Sequence, residues 1–180
     1  YGPANSSENF AASVAASGGG SIPTSVASAS RRPGVTFAFS DGTFQDIDPL
    51  EVTSTQPYGL AIDGDRAAVG AGGRVAILER GEGTNEFAVT TPLDSPEGSS
   101  GFGRSIAMDG NLLLVGAPAT SVNELSNAGR AYLFDLADLA DPVWEFEAPD
   151  PLRNERLGGS VALEGSSAVV SAPGGDGIFE

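Results

Sequence analysis

Short apolar runs punctuated by glycine turns dominate this chain. Leu112-Leu113-Leu114-Val115, Ala67-Ala68-Val69 and Ala168-Val169-Val170 are continuous, and each is closed off by glycine, serine or a charged residue. A run of that length between turn signals reads as a strand covered on both faces. In Arg130 to Asp135, Tyr132 and Phe134 alternate with Ala131 and Leu133. In Val143 to Glu147, Trp144 and Phe146 share one face and acids take the other. Both patterns predict strands with two distinct sides. The one helix-like stretch, Leu136 to Ala140, is too short to stand alone. The expected class is all-β, built from many short strands.

The runs recur in phase. Ser105-Ile106-Ala107-Met108-Asp109-Gly110-Asn111 followed by Leu112-Leu113-Leu114-Val115-Gly116-Ala117-Pro118 serves as a template. Leu60 to Ala71 and Ser160 to Pro173 match it closely, and Ser13 to Gly18 with Ser25 to Ala29 is a fainter copy. The matched alanines Ala15, Ala61, Ala107 and Ala162 are separated by 46, 46 and 55 residues. A period of that size fits one four-stranded propeller blade per repeat. The expected units are about 10–56, 57–97, 101–148 and 157–180, the last stopping inside its third strand. Within the units, strand one turns at Asp63-Gly64, Asp109-Gly110 or Glu164-Gly165 into strand two, expected near the axis. Strands three and four follow; in the first unit these are Val35 to Phe39 and Leu50 to Thr53.

Gly101-Phe102-Gly103-Arg104-Ser105 and Val115-Gly116-Ala117-Pro118 together resemble the two halves of the FG-GAP repeat, the repeat of the integrin α-subunit propeller. The second unit has Pro57-Tyr58-Gly59 and Ala71-Gly72 at those places; the fourth has Leu157-Gly158-Gly159-Ser160 and Ser171-Ala172-Pro173. The resemblance implies a partial β-propeller of about four blades, part of a larger ring. The short turns resemble the calcium-free variant of the repeat. An extracellular or cell-surface location, or an organelle lumen, is implied by the family alone.

Composition narrows the chemistry. The chain has 24 acidic and 9 basic residues, a formal charge of -15, and every basic residue is arginine. Such a surface repels nucleic acid and anionic lipid. Without cysteine or histidine there is no disulfide, no thiolate metal site and no histidine general base. No apolar run approaches the length of a membrane span.

Candidate sites are correspondingly few. Integrin-like blades hold Ca²⁺ with several carboxylates in the strand one-to-two loop, because the ion takes six to eight oxygens. Here that loop has shrunk to Asp63-Gly64-Asp65, Asp109-Gly110-Asn111 and Glu164-Gly165-Ser166, which read as tight hairpin turns. Gly98 to Gly103 precedes a strand and has no lysine, so it does not read as a phosphate cradle. Ser13, Ser105 and Ser160 recur in phase and read as packing positions rather than nucleophiles. Trp144 reads as blade-to-blade core. No catalytic residue, cofactor or metal is expected.

Arg31, Arg32, Arg153 and Arg156 interrupt the acidic field, in strand two-to-three and four-to-one loops that should emerge at the same end of the propeller. With Asn123 and Glu124 they are the expected partner contacts; Asn5 heads the sole N-glycosylation tripeptide. The expected function is a non-catalytic interaction or scaffolding module presenting loops to a protein or glycan partner. The rivals are an accessory propeller domain of a larger secreted hydrolase and an architectural subunit of a fibre or large complex. The first and last units are expected to be covered by further blades or other subunits. Residues 1–180 should therefore not be self-sufficient.

Overall fold

In the computed structural model, residues 59–84 and 86–174 are described throughout, together with the strand backbones 14–17, 24–27, 35–38 and 44–47. The strands are β1 (Val14–Ser17), β2 (Thr24–Ala27), β3 (Val35–Ala38), β4 (Phe44–Ile47), β5 (Leu60–Asp63), β6 (Arg66–Ala71), β7 (Arg74–Arg80) and β8 (Phe87–Asp94). They continue with β9 (Ser105–Asp109), β10 (Leu112–Ala117), β11 (Arg130–Asp135), β12 (Trp144–Phe146), β13 (Val161–Glu164) and β14 (Ser167–Val170). Each sheet is an antiparallel meander in chain order: β1 to β4, β5 to β8, β9 to β12, and the pair β13–β14. No helix occurs among the described residues. The class is all-β, a partial β-propeller with one sheet per sequence repeat.

The fourth strand of the first sheet is Phe44–Ile47, earlier than expected. Leu50 to Thr53 lies outside the described residues. The hairpins form at the Asp-Gly and Glu-Gly dipeptides, but one residue later than expected: the acid is the last paired residue and glycine is the first of the two turn residues. Asp63 pairs Arg66, Asp109 pairs Leu112 and Glu164 pairs Ser167, leaving two-residue turns. Their first residues, Gly64, Gly110 and Gly165, have φ of 57°, 55° and 54°. A left-handed first position is what a twisted two-residue hairpin requires of glycine.

Strand one, not strand two, carries the sequence of units forward: β1 lies against β5, β5 against β9 and β9 against β13. Strand two sits one place further out, hydrogen-bonded on both edges, as β10 is between β9 and β11. Its burial comes from the neighbouring sheets. Leu113 and Val115 join Ala68, Ile77, Phe102, Ile106, Tyr132 and Phe134 in a core between the second and third sheets. Leu60, Ile62, Ala67, Val69, Ala76, Leu78 and Phe87 form a second cluster on the other face of the second sheet. Phe102 sets its ring edge-on to Tyr132 and Phe134, at 5.9 and 6.1 Å between centroids.

Two expectations of burial fail. Ala168 to Val170 is not buried like its counterparts; Val169 is 65% exposed, and among the described residues no further sheet packs on β14 as one does on β6 and β10. Trp144 is 63% exposed rather than blade-to-blade core. It lies on β12, the three-residue outer strand, which pairs with β11 alone.

Tyr132 is buried, and its hydroxyl has no hydrogen-bond partner among the described residues. Burial pushes its phenol above the ordinary 10.0, against the partly opposing pull of Arg130. A raised folded pKa means stability that is complete below pH 10 and lost as the pH climbs through the folded value. Tyr132→Phe should therefore keep or raise stability by up to about 1 kcal/mol at neutral pH, since an unmade hydrogen bond is removed. It should also blunt the alkaline loss. Urea unfolding at pH 7 and above pH 10 checks both; a large loss at pH 7 would mean that the hydroxyl is satisfied.

Candidate functional site

The seam between successive units is built on glycine. Gly103 (φ 82°) brings its Cα to the backbone of the preceding unit, so close that a Cβ on it would lie 2.9 Å from the Arg74 carbonyl oxygen and 3.0 Å from Gly70 Cα. A Cβ on Gly70 would overlap the Gly103 carbonyl oxygen, and one on Gly116 would overlap the Gly158 carbonyl oxygen. Thus the Phe-Gly or Leu-Gly element of each unit seats against the Gly-Ala element of the one before. Gly59 N–H donates to the Gly103 carbonyl at 3.0 Å, and Ser105 Oγ donates to that of Gly158 at 2.8 Å. The packing role read for Ser105 is met in this bond.

At the hairpin end the units are joined by carboxylates. Asp63 Oδ2 accepts the Gly110 N–H at 2.7 Å, and Asp109 accepts that of Gly165. Arg66 donates to Asn111 Oδ1 at 2.9 Å, and Asn111 in turn donates to Asp135. The turns at Asp63 and Asp109 thus commit their leading carboxylates to the backbone of the following turn. A turn of two residues cannot supply the six to eight oxygens of a calcium cage. Millimolar Ca²⁺ is expected to leave the melting temperature where Mg²⁺ leaves it. A rise of several degrees specific to Ca²⁺ would contradict this reading of the turns.

At the opposite end the long loops interlock. Val122 and Leu125 exchange backbone hydrogen bonds around Asn123 (φ 49°) and Glu124 (φ 66°), whose side chains stand exposed at the tip. The returning limb of this loop pairs with the chain entering the fourth unit. Asn154 N–H donates to Ser126, Arg156 N–H to Asn127 and Leu157 N–H to Ala128, at 2.9, 2.9 and 2.8 Å. Asn127 Nδ2 donates to Asn154 Oδ1 at 3.0 Å. Buried Thr120 ties down the loop's base, its Oγ1 accepting the Ser100 N–H at 3.0 Å. The strand two-to-three and four-to-one loops therefore do emerge together.

Across this junction runs a cleft of about 370 Å³ lined by Arg104, Pro118, Ala119, Asn127, Arg156, Gly159 and Pro173. Arg156 holds a left-handed φ of 60° at the place where the third unit has Gly101 (φ 74°). A non-glycine residue there costs on the order of 1 kcal/mol, so the side chain is installed against local preference.

Asn123, Glu124, Arg153 and Arg156 are thus brought to one end of the third and fourth units, all exposed. Arg31, Arg32 and Asn5 lie outside the described residues. Sequence reasoning missed Arg104, Asn127 and Thr120. The repeat alignment held a signal for the first: Arg104 stands where the fourth unit has Gly159, and Arg156 where the third has Gly101. Among the described residues no group of three or more acidic side chains is placed to hold a metal.

The FG-GAP repeat family model matches residues 91–134. The match starts in β8 of the second sheet and ends in β11 of the third, so it spans the seam and includes Phe102-Gly103 and Gly116-Ala117-Pro118. No curated protein matches the chain.

Proposed function

As an FG-GAP repeat protein built of propeller blades, the chain is, we propose, a non-catalytic interaction and scaffolding module. It presents the strand two-to-three and four-to-one loops to a protein or glycan partner, and we propose a setting outside the cell or on its surface, by analogy with the family it resembles. The observation that carries this reading is the interlocked loop pair. Backbone bonds from Asn154, Arg156 and Leu157 hold both loops to one rigid end while Asn123, Glu124, Arg153 and Arg156 face solvent. Loops fixed by a scaffold and tipped with polar side chains suit recognition.

The test compares the full chain with a variant carrying N123A, E124A, R153A and R156A. Both are applied to arrays of glycans and surface proteins. A ligand held by the parent and lost by the variant, with unchanged melting, supports the reading. Equal binding by both across the arrays contradicts it.

A further inference from the structure

The hairpin end carries a reactive dipeptide in a particular setting. In Asp109-Gly110 a backbone nitrogen follows directly on a carboxyl side chain, and glycine has no side chain to hinder its approach. That nitrogen can attack Asp109 Cγ. The new C–N bond closes a five-membered succinimide, and the N–H proton leaves with a carboxyl oxygen as water. Water then reopens the ring at either carbonyl. Opening at the backbone carbonyl leaves an isoaspartyl link, in which the chain runs through Cβ and the mass is unchanged. No oxidant or cofactor enters the balance.

The seams hold the two reacting groups apart. Gly110 N–H is given to Asp63 Oδ2 of the preceding unit at 2.7 Å, and Asp109 Oδ2 accepts the Gly165 N–H of the following unit. The nucleophile is thus directed to one neighbour and the electrophile to the other. Asp109 is also paired with Leu112, and Gly110 is set at φ 55° in the two-residue turn. For attack, the carboxyl group must swing back to its own backbone and the nitrogen must release its hydrogen bond.

We propose that Asp109-Gly110 is a latent isomerisation site kept closed by the second and fourth units, so that isoaspartate at position 109 records the time the seams spend open. The proposal does not depend on the binding role of the loops. Modification of a transiently opened state tracks the population of that state. The consequence reaches past the turn. An isoaspartyl link lengthens the backbone at the end of β9 and withdraws the carboxylate from Gly165, so the third unit loses a hold on the fourth. The fourth unit has Glu164-Gly165 at the same place, where closure needs a six-membered ring that forms far more slowly.

The experiment incubates the full chain at physiological temperature and neutral pH. Isoaspartate at position 109 is followed by peptide mapping with a protease that cuts before aspartate and not before isoaspartate. The expected result is much slower isomerisation in the folded parent than in the same chain held unfolded in urea. Asp63→Ala removes the acceptor of the Gly110 N–H and should speed the folded reaction several-fold, with no effect in urea. Gly116→Ala loosens the seam to the fourth unit without touching the turn and should do the same; it serves alone if Asp63→Ala melts during the incubation. A folded parent that ages at the urea rate overturns the proposal. So does either folded variant ageing no faster than the parent, which would leave turn geometry alone as the shield. Slower ageing in Asp63→Ala would overturn it too, since Asp63 would then be a base that promotes the attack.

Discussion

Leu113→Asp is expected to cost at least about 4 kcal/mol and to unfold the third unit under conditions where the parent is intact. Leu113, the second residue of β10, is fully buried opposite Met108 on β9 and Phe134 on β11. Its side chain belongs to the core that joins the second and third sheets, and that cluster contains no cationic residue. Removing the leucine alone forfeits about 2–5 kcal/mol through lost burial and the void it leaves. A carboxyl group there must stay protonated or be buried without a partner, and either adds to the loss. Val169→Asp, in the equivalent strand of the fourth unit but 65% exposed, should stay within about 0.5 kcal/mol of the parent. Urea midpoints for the two variants check the contrast. Equal midpoints would mean that β10 is not enclosed between sheets.

Gly116→Ala should loosen the fourth unit at a cost of about 1–3 kcal/mol, the range for overpacking a close contact. The new Cβ would overlap Ser105 Oγ, which can rotate, and the Gly158 carbonyl, which is backbone and cannot move alone. Gly116 is not in the left-handed region, so alanine suits its conformation and the cost falls on the seam. Gly110→Ala provides the opposite case: φ is 55°, and nothing lies within 4 Å. Its penalty is conformational and stays within its own turn. Limited proteolysis of the 148–158 segment separates the two. Faster cleavage in the Gly116 variant, with the Gly110 variant like the parent, is the expected pattern. Identical cleavage in all three would show that the glycine contact does not hold the units together.

Much of this architecture is legible in the residues. Glycine directly after the acid that closes an apolar run announces a two-residue hairpin, because glycine accepts the left-handed first turn position. The recurrence of such turns sets the units, and Arg66 to Ala71 and Arg130 to Asp135 are strands over the expected spans. What sequence cannot show is which neighbour covers a strand. Leu114 and Val169 hold the same register position in their strands and carry the same local signal, yet Leu114 is fully buried and Val169 is exposed. The same reason explains Trp144: alternation in Val143 to Glu147 marks a strand, but not that the strand is an outermost edge. The Gly70–Gly103 and Gly116–Gly158 contacts join residues distant in sequence. Their glycines are visible in the repeat, but their pairing appears only once the sheets are stacked. The candidate cleft was half legible. Arg153 and Arg156 stand out against the acidic background, whereas Arg104 is hidden in a strand-one position, where a side chain ordinarily serves packing.

The central claim is that each unit grips the next, so that the loop end acts as one body. Amide hydrogen exchange at Gly59 and Leu157 tests it most directly, since both N–H groups donate across a seam, to Gly103 and to Ala128. If the units are locked, these amides exchange as slowly as those at the centres of β6 and β10, because they open only when the seam does. Exchange at Gly59 and Leu157 near the rate of an unstructured peptide, while β6 and β10 stay protected, would contradict the account.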